Sequence, residues 1–459
     1  MMRRMNHCGV AATLVGMFTL VGLHPQGALG AEWKAGVARV KITPRQPMWM
    51  SGYASRDRPA EGTLSDLWAK ALALDDGEGN RAVLVTMDLC GIDRVLSTRV
   101  CRAIGEKHKL GRASIALCVS HTHSGPVVGN NLRPMYGLDE RQGKLVDEYA
   151  AELEARLAAV AGEALGALAP ARLEWGVGRA TFAVNRRNNR EEDVTKLREA
   201  GKIQGPVDHD LPVLAVRNAD GKPAAIVFGY ACHATTLSLY QWTGDWPGFA
   251  QVEIETMFPG ATAMFVAGCG ADQNPLPRRT VELARRYGGE TATGVRAAID
   301  SGLRPFAGAL RTDYSEIDLP FGAVPSREQL LADAASKDRY VASRGRLLLA
   351  QWDRDGKLEP TYPYPVQAWR LGAGPALVFL GGEVVVDYAV RLKKELGPAT
   401  WVASYSNDVM AYVPSLRVLN EGGYEGGGAM LYYGLPSPWA PEIEERIVRE
   451  VHRLTSGNP

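Results

Sequence analysis

The sequence predicts an α/β fold, with mixed helix and strand layers, organised as one large domain. Short apolar segments rich in Val, Ile and Ala, which are typical of buried strands, alternate along the chain with segments of helical periodicity. Four of these apolar segments end abruptly in a polar or glycine-rich cluster, which puts chemically active side chains at strand ends. After Trp33 no low-complexity linker or internal repeat divides the chain, so we expect one domain rather than two.

The strands that end in polar clusters are the most informative elements. These four strands are predicted over residues 113–119, 224–230, 375–380 and 400–404. A further strand, outside this set of four, is predicted over residues 82–88. The first is followed by His121 and His123, and the second by His233. A Gly-Gly break and Glu383 follow the third, and Tyr405 follows the fourth. Residues of this kind at several strand ends favour one shared site.

The remaining elements are predicted from periodicity and from structure-breaking residues. Helical periodicity predicts helices over residues 145–165, 326–343, 387–396 and 441–454. The charged and polar residues 188–204 predict an exposed loop or short helix. Two prolines within residues 362–365 predict a break in structure before the strand that leads to Glu383.

Bulk composition excludes some classes of partner. The chain has 459 residues, 46% of them hydrophobic and 22% charged, and a formal net charge of +1. This is ordinary globular composition, and a near-neutral balance gives no support for nucleic acid or an anionic membrane surface as the main partner. We therefore expect a small-molecule or lipid substrate and no nucleic acid.

The amino terminus predicts export. Arg3 and Arg4 precede the mostly apolar residues 8–23, and the small residues 28–31 resemble a cleavage site. We interpret residues 1–31 as a signal peptide and residues 32–459 as the mature chain, periplasmic or secreted, with an uncleaved membrane anchor as the alternative. The mature chain then keeps five cysteines, an odd number lying mostly in strand-like segments, which argues against a disulfide framework.

His121 and His123 stand two residues apart at a strand end, so both imidazoles project to the same face. Each histidine taken alone also fits a hydrogen-bonded core residue, and Glu383 taken alone also fits the start of the following helix. Zinc binds imidazole nitrogen and carboxylate oxygen, and its catalytic sites keep one position open. Taken together with His233, these residues predict a metal centre.

Several motifs, taken together, resemble those of the neutral ceramidases, zinc amidases that cleave the N-acyl bond of ceramide. They are His121-Thr122-His123-Ser124-Gly125-Pro126, Asn185-Arg186-Arg187, His233, Gly382-Glu383, Asn407 with Tyr412, and Gly423-Tyr424-Glu425-Gly426. The resemblance covers roughly residues 33–433, and the His-Thr-His-Ser-Gly-Pro motif is its most specific part. Residues 244–248 look like a further loop of the site.

The resemblance implies a role for each matching residue. One zinc ion per chain would be held by His121, His233, Glu383 and Tyr412. His123, Arg186 and Tyr424 would face the scissile amide. His123 would then hold the water or pass a proton to the leaving amine, and the other two would donate hydrogen bonds to the developing oxyanion. The simpler alternatives are a core aromatic residue for Tyr424 and a surface cation for Arg186.

Two departures from the family pattern affect the expected substrate and domain content. The family carries a Gly-Asp-x-Ser-Pro-Asn segment, whereas residues 268–275 contain no serine and place Asp272 near its position. We expect Asp272 to add a negative charge to the catalytic site, which would favour polar or cationic substrates over long-chain ceramide. We also expect a catalytic domain alone, lacking the carboxy-terminal immunoglobulin-like domain of the larger ceramidases.

The sequence therefore predicts an exported zinc-dependent amidohydrolase acting on a ceramide-like or other N-acyl substrate, with the membrane surface as one source of it. One alternative is an amidase for acylated amino sugars or lipoamino acids. Another is a non-catalytic binding protein that has kept the fold. A metallo-β-lactamase-like hydrolase is disfavoured, because the sequence around His121 and His123 lacks the further Asp-His pair of such sites.

Export makes a first prediction. The mature protein is expected in a periplasmic or extracellular fraction, with its amino terminus near Ala31 or Glu32, because the signal would be cleaved after the small residues. Amino-terminal sequencing of the fractionated protein measures this. An intact Met1 on cytoplasmic protein would contradict the assignment.

Overall fold

The computed structural model describes residue 2 and residues 33–456, so the predicted signal peptide lies almost wholly outside the described residues. Two β-sheets pack face to face, and helices cover their outer faces. In spatial order the large sheet contains the strands Thr262–Ala267, Pro223–Tyr230, Asp210–Asn218, Ala169–Arg179, Lys34–Lys41, Trp68–Asp75, Arg81–Met87 and Ile115–Val119, with Arg304–Phe306 beside Ala169–Arg179. The small sheet contains Leu310–Pro320, Thr361–Leu371, Ala376–Leu380 and Thr400–Ala403.

Shorter elements complete the architecture. Three two-stranded pairs join Gly62–Thr63 to Gln241–Trp242, Ala183–Asn185 to Gln273–Pro275, and Glu383–Val384 to Tyr412–Val413. The α-helices are Arg94–His108, Glu140–Gly166, Val194–Glu199, Asp245–Met257, Val281–Asp300, Arg327–Ala334, Arg339–Asp355, Val386–Leu396, Leu416–Glu421, Met430–Tyr433 and Ile443–Ser456. Short helical turns span Arg112–Ser114, Arg133–Met135, Glu191–Asp193 and Tyr424–Gly428.

Alternation along the strands builds the layers. In the strand Trp68–Asp75, Leu72 and Leu74 belong to the apolar cluster between the two sheets, whereas Ala71 and Ala73 belong to the cluster beneath the helices. Successive side chains of a strand point to opposite faces, so each face of the sheet acquires its own core. The resulting arrangement is a helix–sheet–sheet–helix sandwich, which confirms the expected α/β fold in a single domain.

Parallel pairing places the reactive loops at one end of the sandwich. Ile115–Val119 runs parallel to Arg81–Met87, Pro223–Tyr230 to Thr262–Ala267, and Ala376–Leu380 to Thr400–Ala403. The carboxyl ends of parallel strands meet at the same edge of a sheet, and sites of open α/β sheets lie there.

The segment of residues 404–407 joins both outer strands of the large sheet at this end. The Ser404 amide donates to the Ala267 carbonyl at 2.9 Å on one edge, and the Asn407 amide donates to the Leu117 carbonyl at 2.6 Å on the other. The Asn407 side chain accepts from the Leu117 amide at 3.2 Å. The two edges of the sheet are therefore covered and tied to the small sheet, which brings distant strand ends together.

Most predicted elements are present, and two expectations differ from the structure. Residues 362–365 do not break the structure but lie inside the strand Thr361–Leu371. Pro363 and Pro365 pair with Leu310–Pro320 on one side, whereas Ala376–Leu380 joins the other side only from Val366 onward. Proline is tolerated where its missing N–H would face an unpaired strand edge. Residues 326–343 form two helices rather than one.

Two further observations concern membranes and cysteines. Among the described residues, no helix combines the length and apolar character needed to cross a bilayer. The five cysteines of residues 33–456 are all buried and unpaired.

The tie between the sheets can be tested at Asn407. Asn407→Ala removes its bond to the Leu117 amide and a 2.8 Å bond to Gln367, and it places alanine at a φ of 65°. We expect the free energy of unfolding to fall by about 2–4 kcal/mol, measured by urea denaturation. The exposed Asn130→Ala is the matched control and should change it little. Equal stability of the two variants would contradict this role.

Candidate metal centre

His121 is held from behind by the main chain. It follows the strand Ile115–Val119 with a φ of 58°, a left-handed conformation that turns the ring back toward the sheet end. Its Nδ1 lies 2.6 Å from the carbonyl oxygen of Cys90, and its ring stacks on Tyr405 with centroids 4.4 Å apart. The side chain is buried. A bond from Nδ1–H to a carbonyl leaves Nε2 with a free lone pair.

His233 is held in the same manner. Its Nδ1 lies 2.7 Å from the carbonyl oxygen of Gly270, so its Nε2 is again the free acceptor. The indole of Trp246 donates to the His233 carbonyl at 2.9 Å, and the Asp245 carboxylate accepts from the Leu237 amide at 2.8 Å. The loop of residues 244–248 therefore supports His233 from behind.

Glu383 lies between the two imidazoles. Gly382, at a φ of 74°, makes the turn that brings it in from the small sheet. One carboxylate oxygen, Oε2, lies 3.1 Å from Nε2 of His121 and 3.1 Å from Nε2 of His233. The other, Oε1, accepts a hydrogen bond from the Tyr433 hydroxyl. The carboxylate is thus fixed in orientation as well as in position.

Tyr412 adds a fourth donor atom. It pairs with Glu383 in the short parallel ladder, and its hydroxyl lies 3.2 Å from Nε2 of His233. Ligand atoms bound about 2.0–2.1 Å from a tetrahedral zinc ion lie about 3.3 Å apart, so this spacing fits such an ion. At these distances two imidazoles and a carboxylate are held together either by shared protons or by a cation that lies between them. His121, His233 and Glu383 therefore form a candidate metal-binding group.

The titration of these groups follows the same electrostatics. Burial lowers the pKa of His121, but the Glu383 charge outweighs it and raises the pKa to about 10. Burial and the charge of Arg186 lower the pKa of His233 to about 4. Burial raises the pKa of Glu383, yet His121 brings it well below its usual value. The site attracts positive charge and keeps the carboxylate ionised.

His123 lies beside these donor atoms. Its Nε2 is 3.1 Å from Nε2 of His121, and Tyr53 contacts its ring edge-on at a centroid distance of 4.8 Å. Gly52 is packed so closely that a Cβ there would lie 2.3 Å from the His123 Cγ. Burial, then the charges of His121 and His233, lower the pKa of His123 well below its usual value. The imidazole is thus neutral and closely packed.

Arg186 is held against the centre by three partners. Its Nη2 donates to the Tyr412 hydroxyl at 3.1 Å, its Nε to Glu425 at 2.7 Å, and its Nη1 to Asn274 at 3.3 Å. The alternative of a free surface cation does not fit these contacts. Tyr424 packs its ring against Tyr412, 5.2 Å between centroids, and is 42% exposed, so it lies at the mouth of the site rather than in the core.

Asp272 lies away from the mouth. It is fully buried, one oxygen accepts from the Val386 amide at 2.9 Å, and the other accepts from the Asn185 side chain at 2.9 Å. Its carbonyl accepts from the Arg186 amide at 2.8 Å. Burial raises its pKa to about 6. These contacts favour a positioning residue, which connects the Arg186 loop to the helix after Glu383, over a charge presented to substrate.

Sequence reasoning missed several supporting residues. Tyr433, the Cys90 carbonyl, Tyr53, Glu425 and Asn274 each orient a predicted site residue. Glu425 lies within the quoted Gly-Tyr-Glu-Gly motif, so its position next to Tyr424 was a usable signal. The carbonyl of Cys90 carries no sequence signal, because any residue supplies a carbonyl.

The amino-terminal half of the chain matches the model of a known protein family. The family model described as neutral/alkaline non-lysosomal ceramidase, N-terminal, matches residues 33–274. The chain belongs to this family. The matched region contains His121, His123 and His233, whereas Glu383 and Tyr412 lie beyond it.

Curated relatives include two neutral ceramidases. That of Pseudomonas aeruginosa is 25% identical over 244 residues, 51% of this chain and 35% of that protein. Neutral ceramidase B of Dictyostelium discoideum is 27% identical over 238 residues, 48% of this chain and 32% of that protein. The matches therefore span about a third of the length of these relatives.

Solved structures show the same fold. The crystal structure of neutral ceramidase from Pseudomonas aeruginosa has a TM-score of 0.68 at 18% identity, covering 92% of this chain and 73% of that one. A ceramidase complexed with C2 has a TM-score of 0.69 at 18% identity, covering 91% and 74%. The shared fold extends over both sheets, well beyond the residues that the family model matches.

From the geometry of this centre we predict that each chain binds about one zinc ion. His121→Ala or His233→Ala should remove bound metal and activity together, because each deletes a donor that the main chain has oriented. Mass spectrometry of the native protein measures the metal. The exposed His452→Ala is the control. Full zinc occupancy in both site variants would refute the assignment.

Proposed function

We propose that the chain is a zinc-dependent amidohydrolase that cleaves the N-acyl bond of a ceramide-like or other N-acyl substrate. One observation supports this most directly. Two imidazole nitrogens, a carboxylate oxygen and a phenol oxygen meet in one buried cluster, where the measured distances between neighbouring atoms are 3.1–3.2 Å. Family membership supports the same reaction. His121, His233, Glu383 and Tyr412 would hold the ion.

When bound, zinc supplies Lewis acidity, which activates water and polarises the amide carbonyl. His123 supplies proton transfer. It is 8% exposed, the largest exposed fraction among the three histidines of the centre, and its Nε2 lies 3.1 Å from Nε2 of His121, beside the proposed ligand atoms. The same group can then return the proton to the departing amine nitrogen, as general acid–base catalysis of amide hydrolysis requires.

Arg186 and Tyr424 would stabilise the negative charge that develops on the carbonyl oxygen. Burial lowers the pKa of Arg186, but Tyr412 and Glu425 outweigh it, so the guanidinium stays charged. Fixed donors in a site that excludes water need no reorganisation during the reaction, and losing one costs about 10²- to 10³-fold in turnover. The three partners of Arg186 provide this fixation.

The absence of serine from residues 268–275 favours direct attack by water over a serine-dependent step. Asp272 does not replace the missing hydroxyl as a nucleophile in this proposal, since both its oxygens already accept hydrogen bonds. Its contribution is to position Arg186. An amidase for acylated amino sugars or lipoamino acids remains within the same chemistry, and a periplasmic or secreted location, with lipid reached at a membrane surface, is part of the proposal.

A non-catalytic binding protein is the alternative of a different class. A binding protein would need neither the neutral imidazole of His123 beside the metal-ligand atoms nor the charged guanidinium of Arg186 fixed next to them. The deciding experiment combines metal analysis with hydrolysis of a panel of N-acyl amides by the native protein. Bound metal with no release of amine from any of them would favour the binding protein.

His123 separates catalysis from metal binding. His123→Ala should keep zinc but lower kcat by about 10²- to 10⁴-fold, because it removes the proton-transfer group while leaving the four donors in place. Metal content and kcat are measured on the same preparation, with His452→Ala as the control. Loss of zinc would make His123 a ligand, and an unchanged kcat would make it structural.

A further inference from the structure

A cavity of about 490 Å³ adjoins the candidate metal centre. Its wall comes from residues 186–192, from residues 274–278 and from residues 421–425. The lining includes Arg186, Arg187, Glu191, Arg278, Tyr424 and Glu425. Its volume is that of a small-molecule pocket.

The cavity and the centre share a wall. Arg186 and Tyr424 line the cavity, and the Arg186 guanidinium donates to Tyr412, whose hydroxyl is 3.2 Å from Nε2 of His233. A group in the cavity is therefore one side chain away from the donor atoms. A substrate whose amide reaches Arg186 and Tyr424 can place one of its two halves here.

Most of the lining residues are charged or polar. It contains four arginines and four glutamates, and Leu276 is the single aliphatic side chain among the lining residues. The charges are matched in pairs: Arg187 with Glu425 at 2.6 Å, and Arg278 with Glu191 at 2.7 Å. The side chains of Arg187 and Arg278 are only 11% and 15% exposed. The cavity is thus rich in fixed donors and acceptors but nearly neutral overall.

This pattern discriminates between substrates. An alkyl chain would cover ion pairs without replacing the hydrogen bonds that water gives them, which costs free energy. A lone carboxylate would meet as many glutamates as arginines and gain little. Adjacent hydroxyls suit the wall best, because each hydroxyl can donate to a carboxylate and accept from a guanidinium at the same time.

Resting on the proposed amidase function, we infer that this cavity receives a hydroxyl-rich group attached to the scissile amide, as in an acylated amino sugar or a sugar-acid amide. The preferred substrate is then not long-chain ceramide, which carries a long alkyl chain on each side of the amide. The selectivity expected from Asp272 is thereby assigned to the arginine and glutamate wall instead.

The test compares three amides on the native protein. N-hexanoyl-glucosamine carries its hydroxyls on the amine half, N-hexyl-gluconamide carries them on the acyl half, and long-chain ceramide is the third substrate. One of the sugar compounds should exceed ceramide in kcat/KM by about tenfold or more, because an alkyl chain would displace water from the ion pairs without replacing its hydrogen bonds. The better of the two identifies which half enters the cavity. A higher kcat/KM for ceramide than for both would overturn the inference.

Variants of the wall sharpen the comparison. Glu191→Leu/Arg278→Leu should lower the ratio of sugar amide to ceramide turnover by about tenfold or more. The rim pair Arg190→Leu/Glu192→Leu, whose side chains are 79% and 58% exposed, should lower it in the same direction without endangering the fold. Arg327→Leu/Asp353→Leu removes an ion pair outside the cavity and is the control. An unchanged ratio in both wall variants would contradict the role of the wall.

Binding measurements keep the two proposals apart. Calorimetric titration with glucosamine, gluconamide and sphingosine reports on the cavity even without turnover. If the metal-loaded protein hydrolyses none of the amides, the amidase proposal fails. Sugar binding that weakens in Glu191→Leu/Arg278→Leu would then still support the cavity, and absence of sugar binding would overturn it as well.

Discussion

The carboxylate of Glu383, lying 3.1 Å from two imidazole nitrogens, is the contact on which the rest of the site depends. Burying a carboxylate is costly unless hydrogen bonds or a cation compensate it. Here Tyr433 satisfies one oxygen, and the other shares a centre with His121 and His233. Carbonyls bonded to both Nδ1 atoms prevent the imidazoles from turning their lone pairs elsewhere. Protein contacts thus fix the orientation of all three side chains, which is what tight metal binding and electrostatic catalysis both require.

That contact exists only because distant strand ends are brought together. The large sheet presents His121 and His233 on different strands, and Glu383 arrives from the small sheet. Residues 404–407 bond to both outer strands, so the end of the sandwich closes around the site. Among the described residues, several left-handed backbones without glycine lie here, including His121, Tyr405 and Asn407. Such conformations persist only where the surrounding structure holds them, and they concentrate at functional sites.

The sequence predicted the parts of this arrangement that depend on local pattern. A short continuous apolar segment followed by a polar cluster predicted where the strands end, and a His-x-His pair there predicted two imidazoles on one face. The convergence of the sheets depends on long-range hydrogen bonds, such as that from Asn407 to Leu117, which no local pattern encodes. The strand through Pro363 was missed for a related reason. A strand tolerates proline only where no neighbouring strand pairs with it on the side of the missing N–H, and Ala376–Leu380 does not reach Pro363. The sequence predicted Asp272 as a site residue from its position along the chain, but the direction of its carboxylate depends on the helix at Val386.

In this fold the candidate metal centre and the lining of the adjoining cavity are built from different parts of the chain. The two imidazoles follow strand ends and are oriented by main-chain carbonyls, which survive most substitutions of the residues that supply them. The adjoining cavity is lined by side chains of the loops around residues 186–192 and 421–425. Loops vary more freely than the strands that carry them, so selectivity can change while the metal-binding geometry stays fixed. Arg186 connects the two regions, because it bonds to Tyr412 on one side and to Glu425 in the cavity wall on the other. A substrate that rearranges the wall would therefore also move the group expected to stabilise the oxyanion, which couples recognition to turnover.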